Sequence, residues 1–406
     1  MEGTEMTKET LLIFDDDNKN SRNYVARLND KKEISKRFKI EPLTKKEFID
    51  EMKILKTRQI GLRKGKDWNG SSSKIDNASV FIVDYDLVNI PDESSLLLTG
   101  EIVSYYVRCF SMCKLIIGMN QFPPNPPNNF DLTLKNHLES YADINIGSDQ
   151  LDNPGLWGGK PKNFRPWHWP NIPIYLDNLH KKIHDLEDNM NKPICDFFGF
   201  SKEIVGILPR SIGEFLGEDP QTSTFESFLI DSGNGLFRKD NSIEKMDNEV
   251  KKLLIVSRIS KWLEQRVLPG QNILIDAPHL VHRYPSLLKE KHTDIKNWNK
   301  TATFDDLEKL GLVHEKIEDF RFKPEYWLSH PAWLFTEIIN CQRIKEVSDP
   351  WTRESSDYVF CEDTSSFHST EKCKEFLAEL DSPYIQRYVL CPDKSVIYTP
   401  SVRFSL

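Results

Sequence analysis

Long apolar runs are what this sequence most plainly lacks. No stretch approaches the roughly 18 consecutive apolar residues that a membrane-spanning helix requires. The opening MEGTEMTKET carries neither the basic nor the apolar region of a secretory leader. A cytoplasmic protein without a membrane partner is therefore expected. Cysteine is sparse as well: there are seven, an odd number with no C-x-x-C pair, which reads as reduced thiols and not as a disulfide framework. Cys109 and Cys113, four apart on an expected helix, read as small buried side chains. Basic charge is in deficit, with 54 Lys and Arg against 62 Asp and Glu and a formal net charge of -8. Nothing in that balance draws a phosphate backbone, so nucleic acid is not indicated as a partner. Walker A, GxGxxG, HExxH, GxSxG and zinc-finger spacings are all missing, as are repeats, heptads and low-complexity tracts, which leaves ATP-driven and zinc-dependent mechanisms without support.

What is present is material for packed cores. Hydrophobic residues make up 38% and aromatics 11% of 406 residues, enough for a globular chain of two or three domains. Leu11-Leu12-Ile13-Phe14 is a short apolar run stopped by Asp15-Asp16-Asp17, the pattern of a buried parallel strand ending in a polar turn. A helical stripe follows at Tyr24, Val25 and Leu28, then a strand near Phe38-Lys39-Ile40, then a helix opened by Thr44 with Glu47 three residues on. Gly61 to Asn77 reads as a long surface loop. Val80-Phe81-Ile82-Val83 repeats the first pattern and stops at Asp84. A helix from about Glu93 to Met112 leads to Leu115-Ile116-Ile117, and Ala142 to Ile146 supplies a weaker run. Strands alternating with helices predict a doubly wound α/β parallel sheet over residues 1–150, with Asp15, Asp16 and Asp84 gathered at the C-terminal edge of its strands.

Phe122 to Pro127, rich in Pro, reads as an ordered loop or a polyproline stretch. Residues 151–175 mix Trp157, Trp167 and Trp169 with Pro and Gly and read as a connection packed down by its aromatics. Residues 176–406 are expected to form a mainly helical α+β domain. Its clearest helical stripe runs from Met246 to Leu263 and ends at Pro269-Gly270, and the tail reads as a C-terminal β-hairpin from YIQRYVLC through PDKS to VIYTPSVRF.

Two adjacent carboxylates after one strand and a third after another can hold a hard divalent ion such as Mg2+ through oxygen. The bland alternative is that each Asp starts a turn or caps a helix. LLIFDDD and VFIVDYD together resemble the receiver domain of bacterial response regulators, in its flavodoxin-like fold. That resemblance implies Asp15 and Asp16 as Mg2+ ligands and Asp84 as the aspartyl phospho-acceptor, the metal neutralising charge as the phosphoryl group arrives. Where the family has Thr or Ser after the fourth strand, this chain has Gly118-Met119-Asn120, and where it has Lys after the fifth, Gly147-Ser148-Asp149. The implied module is thus a degenerate, pseudo-receiver one. Asp15-Asp16-Asp17-Asn18 also fits the opening of haloacid-dehalogenase-like phosphatases, which would make Asp15 a nucleophile and Asp17 a general acid. A Mg2+-dependent nuclease built on the clustered acids is a third reading.

Further along, Asp276, His279 and His282 are secondary candidates for metal ligation or acid/base work, set against the plainer use of turn and surface histidines. Cys361 has no activating base in sequence, and Tyr326, Trp327, His330, Trp333 and Phe335 read as core before binding groove. The expectation for the whole is a regulatory or adaptor protein whose receiver-like domain binds a protein partner, a ligand or Mg2+. Its joined architecture is of the kind seen in bacterial stress and phage-defence (antiviral) signalling.

Overall fold

The computed structural model describes residues 8–67, 72–87, 90, 99–120, 140–158, 171–231, 243, 245–288, 291–302, 315–341, 357–361, 364, 366–376 and 387–390. Five strands open the chain: β1 (Glu9–Phe14), β2 (Phe38–Pro42), β3 (Ala78–Asp84), β4 (Leu115–Asn120) and β5 (Ile144–Gly147). They form one parallel sheet in the order β2-β1-β3-β4-β5. Every residue of β3 is buried, as a central strand covered on both faces must be, and this is why it reads as an unbroken apolar run. The strand order reverses between β1 and β3, the switch point of a doubly wound sheet, and opens a crevice at the strand C-termini.

Helices cover the sheet. α1 (Asn18–Asn29) buries Tyr24 and Leu28, and a short α2 (Lys32–Arg37) leads into β2. α3 (Lys45–Arg63) is closed at its N-terminus by a complete capping box of Thr44 and Glu47, as its sequence predicts. It lays Phe48 on Phe14 with ring centroids 3.7 Å apart. α4 (Gly100–Phe110) begins later than the Glu93 expected, because Thr99 is extended and caps it by accepting from the Ile102 amide; residues 91–98 lie outside the described ones. The segment expected to be a loop from Gly61 is more ordered than its polarity suggests. α3 runs on to Arg63, a 3-10 turn spans Ile75–Asn77, and Arg58 clamps Asp76 through two nitrogens at 2.9 and 2.6 Å.

The chain divides into two compact units that are not continuous in sequence. One comprises Met1–Gly159, Leu179–Asn191 and Phe225–Ile259, the other Lys160–Asn178, Lys192–Thr224 and Ser260–Leu406. The first includes the sheet and most of α5 (Ile172–Asn189). In it Trp157 is buried edge-on to Phe38 and donates its indole N–H to the Leu151 carbonyl at 2.8 Å. Trp167 and Trp169, and the Pro-rich Phe122 to Pro127, lie outside the described residues.

The second unit combines helices with small sheets. β6 (Leu274–Asp276) pairs antiparallel with β7 (Ala332–Leu334). β8 (Tyr358–Cys361), β9 (Ser366–Ser369), β10 (Lys374–Phe376) and β11 (Arg387–Val389) form a sheet in the order β10-β11-β8-β9. Its core is aromatic: Trp298, Trp333, Phe335, Phe360 and Phe367 cluster with Ile275 and Leu280. Trp327 is likewise buried, against Phe198, so these rings serve packing. The helical stripe ending at Pro269-Gly270 is observed as Asn248–Trp262 followed by a wider π turn, Leu263–Val267. Of the expected terminal hairpin, β11 is described and pairs with β10 and β8; residues 391–406 lie outside the described ones. No helix among the described residues is long and apolar enough to cross a membrane.

Candidate metal centre

The register of β1 on β3 pairs Phe14 with Val83, so the next residues, Asp15 and Asp84, end side by side at the switch point. Asp15, Asp16 and Asp84 are exposed by only 1%, 6% and 8%. Each offers one carboxylate oxygen, and these oxygens all lie within 4.8 Å of one another. The surrounding backbone fixes them. The Asp15 amide donates to Ser21 Oγ at 3.1 Å, and Asp15 Oδ1 accepts from the Asp17 amide at 2.7 Å. Beyond β3, the Tyr85 amide donates to the Met119 carbonyl at 2.7 Å and the Gly100 amide to the Tyr85 carbonyl at 2.8 Å.

Gly100 is there because the start of α4 nearly touches the backbone of Asp84. A Cβ at this position would sit 2.5 Å from the Asp84 carbonyl oxygen and 2.7 Å from the Tyr85 Cα. Ser21 and Gly100 both shape the site, and neither stands out in the sequence. The faint signal for Gly100 is a Thr-Gly-Glu helix start after an acid-terminated strand.

Electrostatically the group is held against its own preference. Burial, then the neighbouring Asp15 charge, pushes the Asp84 carboxyl up to about 7, with a hydrogen bond from the Tyr85 backbone opposing. Burial also raises Asp15, reinforced by Asp16 and opposed by the bond from Asp17. The Asn20 side chain also bonds to this carboxylate, but among the described residues Asp15 Oδ2 is buried without a hydrogen-bond partner. An unpartnered buried carboxylate oxygen beside two further carboxylates fits a hard divalent cation bound through oxygen.

Other candidates have other employment. Asp17 is exposed and caps α1, its carboxylate accepting from the Lys19 amide at 2.8 Å. Asp276 caps the helix Ala277–Arg283 and accepts from both the His279 amide and its Nδ1, the latter at 2.6 Å, while His282 stands in the last turn of that helix. No third His, Cys, Asp or Glu joins Asp276 and His279 in a compact ligand group among the described residues. Asn120 ends β4, and after β5 the Ser148 and Asp149 carbonyls accept from the Arg27 guanidinium at 3.0 and 3.1 Å.

No protein-family model and no curated protein matches the sequence. Among solved structures, one of the Salmonella typhimurium RcsB response regulator, described as showing conformational dynamism for DNA interaction, matches with 14% identity. The match covers 50% of this chain and 88% of that chain at a TM-score of 0.23.

Proposed function

We propose that the N-terminal α/β domain is a receiver-like regulatory module that binds a Mg2+-class divalent cation through Asp15, Asp16 and Asp84. The observation that carries this is the set of three buried carboxylates within 4.8 Å, one with an unpartnered oxygen. Bound there, the cation would supply positive charge to carboxylates that burial otherwise penalises. The residues themselves do the positioning: Ser21 and the Asp17 amide fix Asp15, and the tight start of α4 fixes Asp84.

Phosphorylation of Asp84 is not part of this function. An acyl phosphate needs a cationic side chain and a hydroxyl to hold its oxygens, and Gly147-Ser148-Asp149 and Asn120 stand where response regulators carry Lys and Thr or Ser. Output then goes through a protein partner sensitive to the cation-bound shape, in an adaptor of the stress or phage-defence type. What supports that setting is architecture alone, an input-like α/β module joined to a domain of another class.

The test is calorimetric titration of the full chain with Mg2+ and Mn2+, together with thermal melts. Wild type should bind and melt higher, and Asp15→Asn and Asp84→Asn should lose both effects. Absence of heat and of any melting shift at about 10 mM Mg2+ overturns the proposal. Hydrolysis of a generic phosphate ester, lost on Asp15→Asn, would point instead to a hydrolase.

A further inference from the structure

In the four-stranded sheet, β8 and β9 pair antiparallel with Phe360 opposite Phe367 and Cys361 opposite Ser366. Phe360 and Phe367 sit with ring centroids 5.2 Å apart in the aromatic core, so the alternation of a strand turns Cys361 to the other face. After β9 a 3-10 turn, Thr370–Lys372, brings the chain back and delivers Cys373. The two sulfurs then lie 3.1 Å apart. A disulfide is about 2.05 Å long, so closure needs an approach of only about 1 Å. Cys361 is buried and Cys373 half-exposed, and the Cys373 thiol donates to the Ser369 carbonyl at 3.2 Å. Solvent therefore meets Cys373 first, with Cys361 directly behind it. Cys109 and Cys113 differ: both are fully buried, and burial pushes each thiol up to about 12.

We propose that Cys361 and Cys373 are a reversible oxidation site, closing to a disulfide in response to a peroxide. The oxidant is a hydroperoxide such as hydrogen peroxide. The Cys373 sulfur, giving up its proton, attacks the peroxide oxygen; the O–O bond breaks, Cys373 becomes a sulfenic acid and one water leaves. The Cys361 sulfur then attacks the Cys373 sulfur; the S–S bond forms, the S–O bond breaks and the hydroxide leaves as a second water with the Cys361 proton. Two thiols are oxidised by two electrons and one peroxide is reduced to two waters. A dithiol reverses the step by exchange through a mixed disulfide. The bond would join the end of β8 to the chain entering β10, tying together strands that β11 separates in the sheet.

The experiment treats the full-length protein with a small excess of hydrogen peroxide, blocks remaining thiols by alkylation and maps peptides without reduction. The expected result is a linked pair of peptides carrying Cys361 and Cys373, about 2 Da lighter than the sum of the free thiols and restored by dithiothreitol. In Cys361→Ser the link should be absent and Cys373 should gain oxygen, about 16 or 32 Da. Because the decisive reading is made on the unmodified chain, failure of a variant to fold leaves the test intact. Alkylation of both cysteines in peroxide-treated wild type, or over-oxidation of Cys373 without a link, overturns the proposal.

Discussion

Replacing Asp84 by Asn should stabilise the cation-free protein and abolish its response to Mg2+. The carboxyl moves from 3.8 to about 7 on folding, chiefly through burial and then through Asp15. Across that interval the folded protein holds more protons than the unfolded chain, so the stability of the cation-free protein falls as pH rises from about 4 to about 7 and levels off above. At 1.36 kcal/mol for each unit, the full penalty is up to about 4 kcal/mol, and solvent reaching the crevice lowers it to roughly 2–4. Asparagine fills nearly the same space without the charge. At pH 8 the variant should therefore be about 1–3 kcal/mol more stable than wild type in urea denaturation, and the advantage should vanish near pH 4. Mg2+ offsets that advantage: at a hundredfold excess over its dissociation constant it adds about 2.7 kcal/mol to wild type alone. A variant less stable than wild type at pH 8 without metal, or one that keeps the Mg2+ increment, would refute the reasoning.

Other expectations arise from the same sheet. Mg2+ affinity should weaken as pH falls below about 7, because protons compete for Asp84; titrations at pH 6 and 8 measure it, and equal affinities would count against Asp84 as a ligand. Small phosphoryl donors should leave little phospho-Asp84 in intact-mass spectra, whereas stoichiometric phosphorylation would mean that a cationic group of this chain holds the acyl phosphate. Gly100→Ala should cost about 1–3 kcal/mol by pushing α4 off the Asp84 backbone and should weaken Mg2+ binding with it, both readable in melts with and without metal. Asp143→Ala should cost about 3–5 kcal/mol by chemical denaturation, since it removes the counter-charge of the Arg108 guanidinium, which is 1% exposed and keeps only neutral acceptors such as the Cys113 and Lys114 carbonyls.

The sheet was legible because its inner strands β1, β3 and β4 are buried. LLIF, VFIV and LII need no alternation, and β1 and β3 announce their ends by a switch to Asp, which also revealed Asp15, Asp16 and Asp84. Features made by residues far apart in sequence were not legible. Asp143 stood in a weak apolar segment, yet it pairs with Arg108, accepts from the Ile116 amide at 2.8 Å and from Ser257 Oγ at 2.5 Å, partners 35, 27 and 114 positions away. Pro278 occupies the first turn of Ala277–Arg283, where an absent N–H costs nothing, and Asp276 before it serves as the cap. Cys361 gave no sign of chemistry because its neighbour, Cys373, reaches it only through the hairpin and the turn after it.

The sheet treats its buried charge in two contrasting ways. At one end Asp143, 2% exposed, is answered from within the chain by Arg108, an amide and a hydroxyl, so that its oxygens are paired wherever they point. At the other, Asp15 and Asp84 face each other and Asp16; the leading influences on both are burial, other carboxylates and hydrogen bonds, with no Lys or Arg among them. Packing alone would favour Asn or Ser at strand ends, which start turns equally well without the desolvation penalty. A fold that neutralises one buried carboxylate so fully has the means to neutralise others. Leaving an oxygen of Asp15 unpaired at the switch point of a doubly wound sheet is explained if the missing positive charge comes from solution, and the stability gained on adding a divalent cation measures how much of that penalty the cation removes.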